Sequence, residues 1–157
     1  MRYKHWLGFG AGLILGIIFF VSGIGKLLAQ TELFETSFPG YLDFLTLDQV
    51  RLLFYGLPYV ELFIGSFLIV GFATKIVAAL SLLLITAFIA SNTWFITHGM
   101  GFEPCGCLGI IDRLFQNQFS TQQALYLDIA MLALVLITLI CYERNFTSIY
   151  PWFVKRD

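Results

Sequence analysis

Four long apolar runs, parted by polar stretches, divide this chain. The first, Trp6 to Ala29, follows a short basic head, Met1 to His5. It holds about 24 mostly apolar residues, where roughly 20 suffice to cross a hydrocarbon core. A secretory signal has a similar charged start but an apolar region of only about 7–15 residues. The run therefore predicts a first transmembrane helix that the protein is expected to keep. Gly8, Gly10, Gly12 and Gly16 along it offer small-residue faces for close helix packing.

Gln30 to Leu47 is a polar connection carrying Glu32, Glu35, Pro39, Gly40 and Asp43, interleaved with Phe34, Phe38, Tyr41 and Phe44. It predicts an interfacial segment, in which a short helix could lie on the membrane surface. Thr46-Leu-Asp-Gln49 has the form of a capping box, so a helix should start there. The second span is expected over 50–73. Pro58 inside it removes an amide donor, predicting a kink or the point where the chain comes back into the membrane. Thr74-Lys75 reads as a tight polar turn, and 76–96 as the third span. The stretch from Thr97 to Phe119 is a glycine-containing polar loop. Ser120-Thr-Gln-Gln123 forms a second capping box, opening a fourth span over 121–142. In the tail after Glu143, Tyr150, Trp152 and Phe153 suit a membrane interface. The pattern predicts an all-α membrane protein: one domain over 1–157, built as a four-transmembrane-helix bundle.

Composition agrees. Hydrophobic residues make up 59% of the chain and charged residues 12%, against about a quarter charged in a soluble domain. Lipid is the natural solvent for such a surface. A net charge of −1 offers no attraction to nucleic acid. The chain has no Walker motif, no dinucleotide-binding glycine pattern and no His-Glu-x-x-His, so nothing supports a nucleotide enzyme or a hydrolase.

Basic residues predict the sidedness. With both termini and the Thr74-Lys75 turn in the cytoplasm, that side holds Arg2, Lys4, Lys75, Arg144, Lys155 and Arg156, and the other holds Lys26, Arg51 and Arg113. Six against three favours this orientation. The loop between the third and fourth spans then lies outside the cytoplasm, where disulfides persist.

That loop carries the leading candidate for chemistry. Of three cysteines in the chain, Cys105 and Cys107 flank Gly106, and Gly109 follows closely. Two cysteines this near cannot staple distant parts of a fold. If they pair they close a small, strained ring, and strained disulfides tend to be the labile, catalytic ones. A second reading is soft-metal binding, in which His98, Met100, Cys105 and Cys107 offer a ligand set suited to Cu(I). A third is two incidental cysteines in a loop.

Ionisable residues inside the spans form a second constellation, because such groups are costly in lipid and are usually paired or functional. Lys26, near the outer end of the first helix, is within reach of Glu61 in the outer part of the second. Together they could form a structural charge pair beneath the loop, favour a thiolate, or meet a quinone head group. Otherwise Lys26 snorkels to the interface. Asp128, about two turns into the fourth span, reads as a buried hydrogen-bonding residue, with a proton relay as the alternative. His98 reads as interfacial and Cys141 as a packing residue.

Three stretches resemble the DoxX/MauE group of small four-helix membrane proteins. Phe20-Val-Ser-Gly-Ile-Gly-Lys-Leu27 is similar to the Gly-x-x-Lys-Leu stretch ending the first helix of that group. Glu61-Leu-Phe-Ile-Gly65 through Gly71-Phe-Ala-Thr-Lys75 resembles its second helix and the following turn. Cys105-Gly-Cys-Leu-Gly109 resembles the Cys-Gly-Cys-Phe-Gly of the methylamine-utilisation MauE branch, with Leu108 in place of the usual Phe. The resemblance implies a redox-associated membrane protein. MauE serves the maturation of the disulfide-rich small subunit of methylamine dehydrogenase alongside a thioredoxin-like partner, and other members of the group are membrane subunits of oxidoreductase complexes. It carries over to Cys105 and Cys107, and more weakly to Lys26 and Glu61. Methylamine itself does not carry over, since no residue here reads an amine substrate.

The expected function is thiol–disulfide exchange with an extracytoplasmic, thioredoxin-like partner at the inner membrane. The alternatives are a structural or anchoring subunit of a membrane complex, and copper handling.

Overall fold

A computed structural model describes residues 2–36, 47–99 and 120–141 of the chain. The rest of the first connection, the loop with the cysteine pair and the tail lie outside the described residues. Among the described residues the regular elements are four helices: α1 (Arg2–Thr36), α2 (Leu47–Val70), α3 (Thr74–Thr97) and α4 (Thr121–Cys141). Trp6–Leu28 within α1, and all of α3 and α4, are long and apolar enough to cross a membrane; the described apolar stretch of α2, Tyr55–Val70, is shorter. Large apolar side chains such as Ile14, Phe63, Leu83, Ile129 and Ile140 cover the outside. Water would not support that surface, and lipid does.

The helices form a ring. α1 packs on α2 and α4, α3 packs on α4, and α2 and α3 touch least among these neighbours. Successive helices run antiparallel. Gly16 of α1 faces Gly65 and Leu68 of α2, while Gly23, further along α1, faces Pro58 and Leu62, earlier in α2. Inside the ring Leu15, Phe19, Ile64, Leu68, Ile85 and Val135 are buried. Because α3 and α4 are apolar almost all the way round, their buried faces are marked mainly by small or polar residues: Ala78, Ser81 and Asn92 on one, Ala124, Asp128 and Thr138 on the other.

The α1–α2 contact is the tightest. A methyl group placed on Gly65 would stand 2.6 Å from the Phe20 amide nitrogen and 2.8 Å from the Gly16 carbonyl oxygen. The two backbones approach so closely only because no side chain lies between them, as in small-residue contacts of membrane helices generally. Of the glycines expected to pack, Gly12 meets Thr138 and Thr74 and Gly16 meets α2, but Gly10 faces open space. Gly10 lies on a different face of α1 from the contact stripe that continues through Gly16 and Gly23.

Two boundaries differ from the sequence expectation, the end of α1 and the turn between α2 and α3. α1 does not end near Ala29 but continues to Thr36. Gln30, Glu32, Leu33 and Glu35 are sound helix formers, and the first backbone restriction comes only with Pro39. Pro58 neither breaks nor ends α2, which is continuous through it. One missing amide bond is tolerated where packing holds the flanking turns, as membrane helices commonly show. The turn between α2 and α3 is Gly71–Ala73, and Thr74 and Lys75 are already helical. Gly71, at φ 72°, closes α2 in a Schellman motif. The Gly71 amide donates to the Leu68 carbonyl at 3.2 Å and the Phe72 amide to the Phe67 carbonyl at 3.0 Å. The Phe67 and Phe72 rings lie 5.2 Å apart and supply the apolar contact that accompanies such a cap.

The capping box at α4 forms as the sequence predicts. The Gln123 amide donates to Ser120 Oγ at 3.4 Å, and the Ser120 amide to Gln123 Oε1 at 3.2 Å. α2 begins at Leu47, and the capping box expected at Thr46 lies outside the described residues.

Candidate functional site

A run of hydrocarbon side chains leaves few ways to satisfy a charge, so ionisable residues buried within the helices need partners. Lys26, Glu61 and Asp128 find theirs at one end of the bundle. Lys26 on α1 reaches Glu61 on α2, with Nζ 2.5 Å from Oε1. Ser22, one turn earlier on α1, donates its hydroxyl to Glu61 Oε2 at 3.0 Å. Both carboxylate oxygens of Glu61 thus accept a bond, and the side chain is 1% exposed. α3 completes the surroundings of the cation: Lys26 Nζ lies 5.0 Å from the centre of the Phe88 ring, a cation–π contact that gains strength away from water.

One turn beyond Phe88, Asn92 donates its side-chain amide to Asp128 Oδ2 on α4 at 2.7 Å. Asn92 and Asp128 are both buried. The Lys26–Phe88 contact on α3 lies one turn from Asn92, so the two pairs sit side by side and each of the four described helices contributes to them. Ser22 and Lys26 are four residues apart, as are Phe88 and Asn92, so α1 and α3 each present two neighbouring turns to the centre.

The cluster lies at the end where α3 finishes and α4 starts. Asn92 is about 8 Å along the helix from Thr97, and Asp128 about 10 Å from Thr121. Exposed Tyr59 and Tyr126 and half-buried Trp94 occupy the same end, the arrangement of an interfacial aromatic belt. His98 caps α3 there and is exposed. Its Nδ1 donates to the Trp94 carbonyl at 2.8 Å, and its ring stacks on Trp94 at 4.1 Å.

Of the residues singled out from the sequence, the structure joins Lys26 to Glu61 and sets Asp128 nearby. Cys105, Gly106, Cys107, Gly109 and Met100 lie outside the described residues. Among the described residues no three His, Cys, Asp or Glu side chains gather as a metal site. Cys141 is a free, half-buried thiol at the far end of α4, about 20 Å of helix from Asp128. Sequence reasoning gave no role to Ser22, Phe88 or Asn92. The available signal was spacing: a polar or aromatic residue four positions from another polar one within an apolar run.

A search of curated proteins and of solved structures finds no match to the chain. The family described as Methylamine utilisation protein MauE matches residues 4–141, a stretch that takes in the four helices, the polar cluster and the Cys-Gly-Cys segment. Its apolar exterior, its helices of membrane-crossing length and this match together assign the chain to the MauE family of multi-pass membrane proteins.

Proposed function

We propose that this protein carries out thiol–disulfide exchange at the membrane surface through Cys105 and Cys107, in the Cys-Gly-Cys branch of its family and in kinship with the wider DoxX group. The observation that carries the reading is placement along the chain. The only two neighbouring cysteines of the sequence lie in the connection that leaves and rejoins the bundle at the end bearing the buried charge cluster. Family membership supports it, because methylamine utilisation requires the maturation of a disulfide-rich subunit.

In the proposed cycle, the thiolate of one loop cysteine attacks a partner disulfide. A mixed disulfide forms and one partner sulfur leaves as a thiolate. The second loop cysteine then attacks the mixed disulfide, closes the Cys105–Cys107 bond and releases the other partner sulfur. Two electrons pass to the partner, and the reverse sequence passes them back, according to the two reduction potentials. The loop faces the extracytoplasmic side of the inner membrane, both termini are cytoplasmic, and the partner has a thioredoxin-like domain.

Trapping tests this. Cys105→Ser and Cys107→Ser, made singly, should leave one of the two holding a long-lived mixed disulfide and the other unable to form it. Cys141→Ser should behave as the parent protein. An unchanged set of disulfide-linked partners with both loop cysteines replaced would refute the relay and favour a structural subunit.

A further inference from the structure

We propose that Asp128 and Asn92 form a proton-binding site inside the bundle, beside a Lys26–Glu61 pair that already neutralises itself. The site takes up and releases one proton at the end from which the α3–α4 connection leaves. It stands on the geometry of the helices and holds whether or not the loop cysteines exchange electrons.

The two carboxyl groups have different surroundings. Glu61 is provided for as an anion: an ammonium sits on Oε1 and a hydroxyl donates to Oε2. Asp128 has a neutral partner, the Asn92 amide at 2.7 Å, and is 7% exposed. The titratable groups facing Asp128 among the described residues are Lys26 from α1 and Glu61 from α2. α3 contributes Asn92, which carries no charge. His98, Tyr55, Tyr59 and Tyr126 are exposed. Two carboxyls thus face one ammonium, and that ammonium is committed to Glu61. Among the described residues the second negative charge has no counter-ion of its own, and within a lipid-embedded core a proton is the smallest one available.

Asn92 suits both states. Its amide nitrogen donates to the ionised carboxyl, and after rotation of the amide its oxygen accepts from the protonated one. The balance is one proton bound to one Asp128 oxygen on uptake and one returned on release, with no change of oxidation state.

Infrared difference spectroscopy of the full chain in lipid nanodiscs, stepped in pH, reads this directly. The parent protein should show a carboxylic-acid carbonyl band that appears and disappears with pH. The band should vanish in Asp128→Asn and persist in the double variant Lys26→Met/Glu61→Leu. Asn92→Ala removes the amide and should shift the band's frequency, and this variant decides the matter if Asp128→Asn is not recovered folded. A parent protein with no titrating band overturns the site. So does a band that survives Asp128→Asn, one lost with the Lys26/Glu61 pair, or one unmoved by Asn92→Ala.

Discussion

At one end of the bundle Lys26 and Glu61 link α1 to α2 through an ion pair, and Asn92 and Asp128 link α3 to α4 through a hydrogen bond. Toward the other end the same helices close on one another through Gly12, Gly16, Thr74 and Thr138. There the Thr138 hydroxyl donates only to the Leu134 carbonyl of its own helix, and Thr74 Oγ1 is buried with no hydrogen-bond partner. Close packing is sufficient to hold antiparallel helices in lipid. Charge is the costlier way to do the same thing, since each ion must leave water and be matched inside. Among the described residues the buried carboxyl groups, Glu61 and Asp128, lie at one end, and the close-packed small residues lie toward the other. The apolar end needs only to fit, whereas the polar end has its composition set by something besides fit.

The largest effect expected from that contrast is at Glu61. Glu61→Gln leaves the Lys26 ammonium without its counter-charge, which should cost about 3–5 kcal/mol. The double variant Lys26→Met/Glu61→Leu should recover most of it. Denaturant or thermal unfolding of purified protein in detergent measures both, and a double variant as unstable as the single one would mean that the pair is not the source of the loss. Next comes the close contact of α1 with α2. Gly65→Ala puts a carbon against the Phe20 amide and should cost about 1–3 kcal/mol through overpacking; an unchanged midpoint would show that the two backbones are further apart in the membrane. The smallest effect belongs to Thr74. Thr74→Val removes a buried hydroxyl that bonds to nothing, so stability should stay level or rise by about 1 kcal/mol. A clear loss would reveal a bond that the Thr74 hydroxyl makes in lipid, and would weaken the distinction between the two ends.

The sequence made the scaffold legible where the signal is one of kind: apolar length, a capping box at Ser120, a lysine and a glutamate where charges are rare. It failed where the signal is one of facing. A helix that is apolar on every side gives no periodicity from which to read its inward face, so nothing along α3 marked Asn92 as the partner of Asp128. Ser22 was hidden for the same reason: a serine in a membrane helix can bond its own backbone as Ser66 does with the Leu62 carbonyl at 2.7 Å and then requires no neighbour. The end of α1 and the position of the α2–α3 turn went astray because polar residues were read as breaks. Glutamates and a threonine–lysine pair are compatible with helix; what ends α2 is the backbone freedom of Gly71.

That turn also bears on how the chain gets into lipid. Three residues, Gly71–Ala73, join α2 to α3, and one of them, Ala73, already holds a left-handed backbone at φ 46°. A linker so short leaves no slack for the second helix to cross and settle before the third arrives. The pair must pass from the insertion machinery as a single hairpin, and its bend must come to rest at the opposite membrane face from the one that receives the α3–α4 connection.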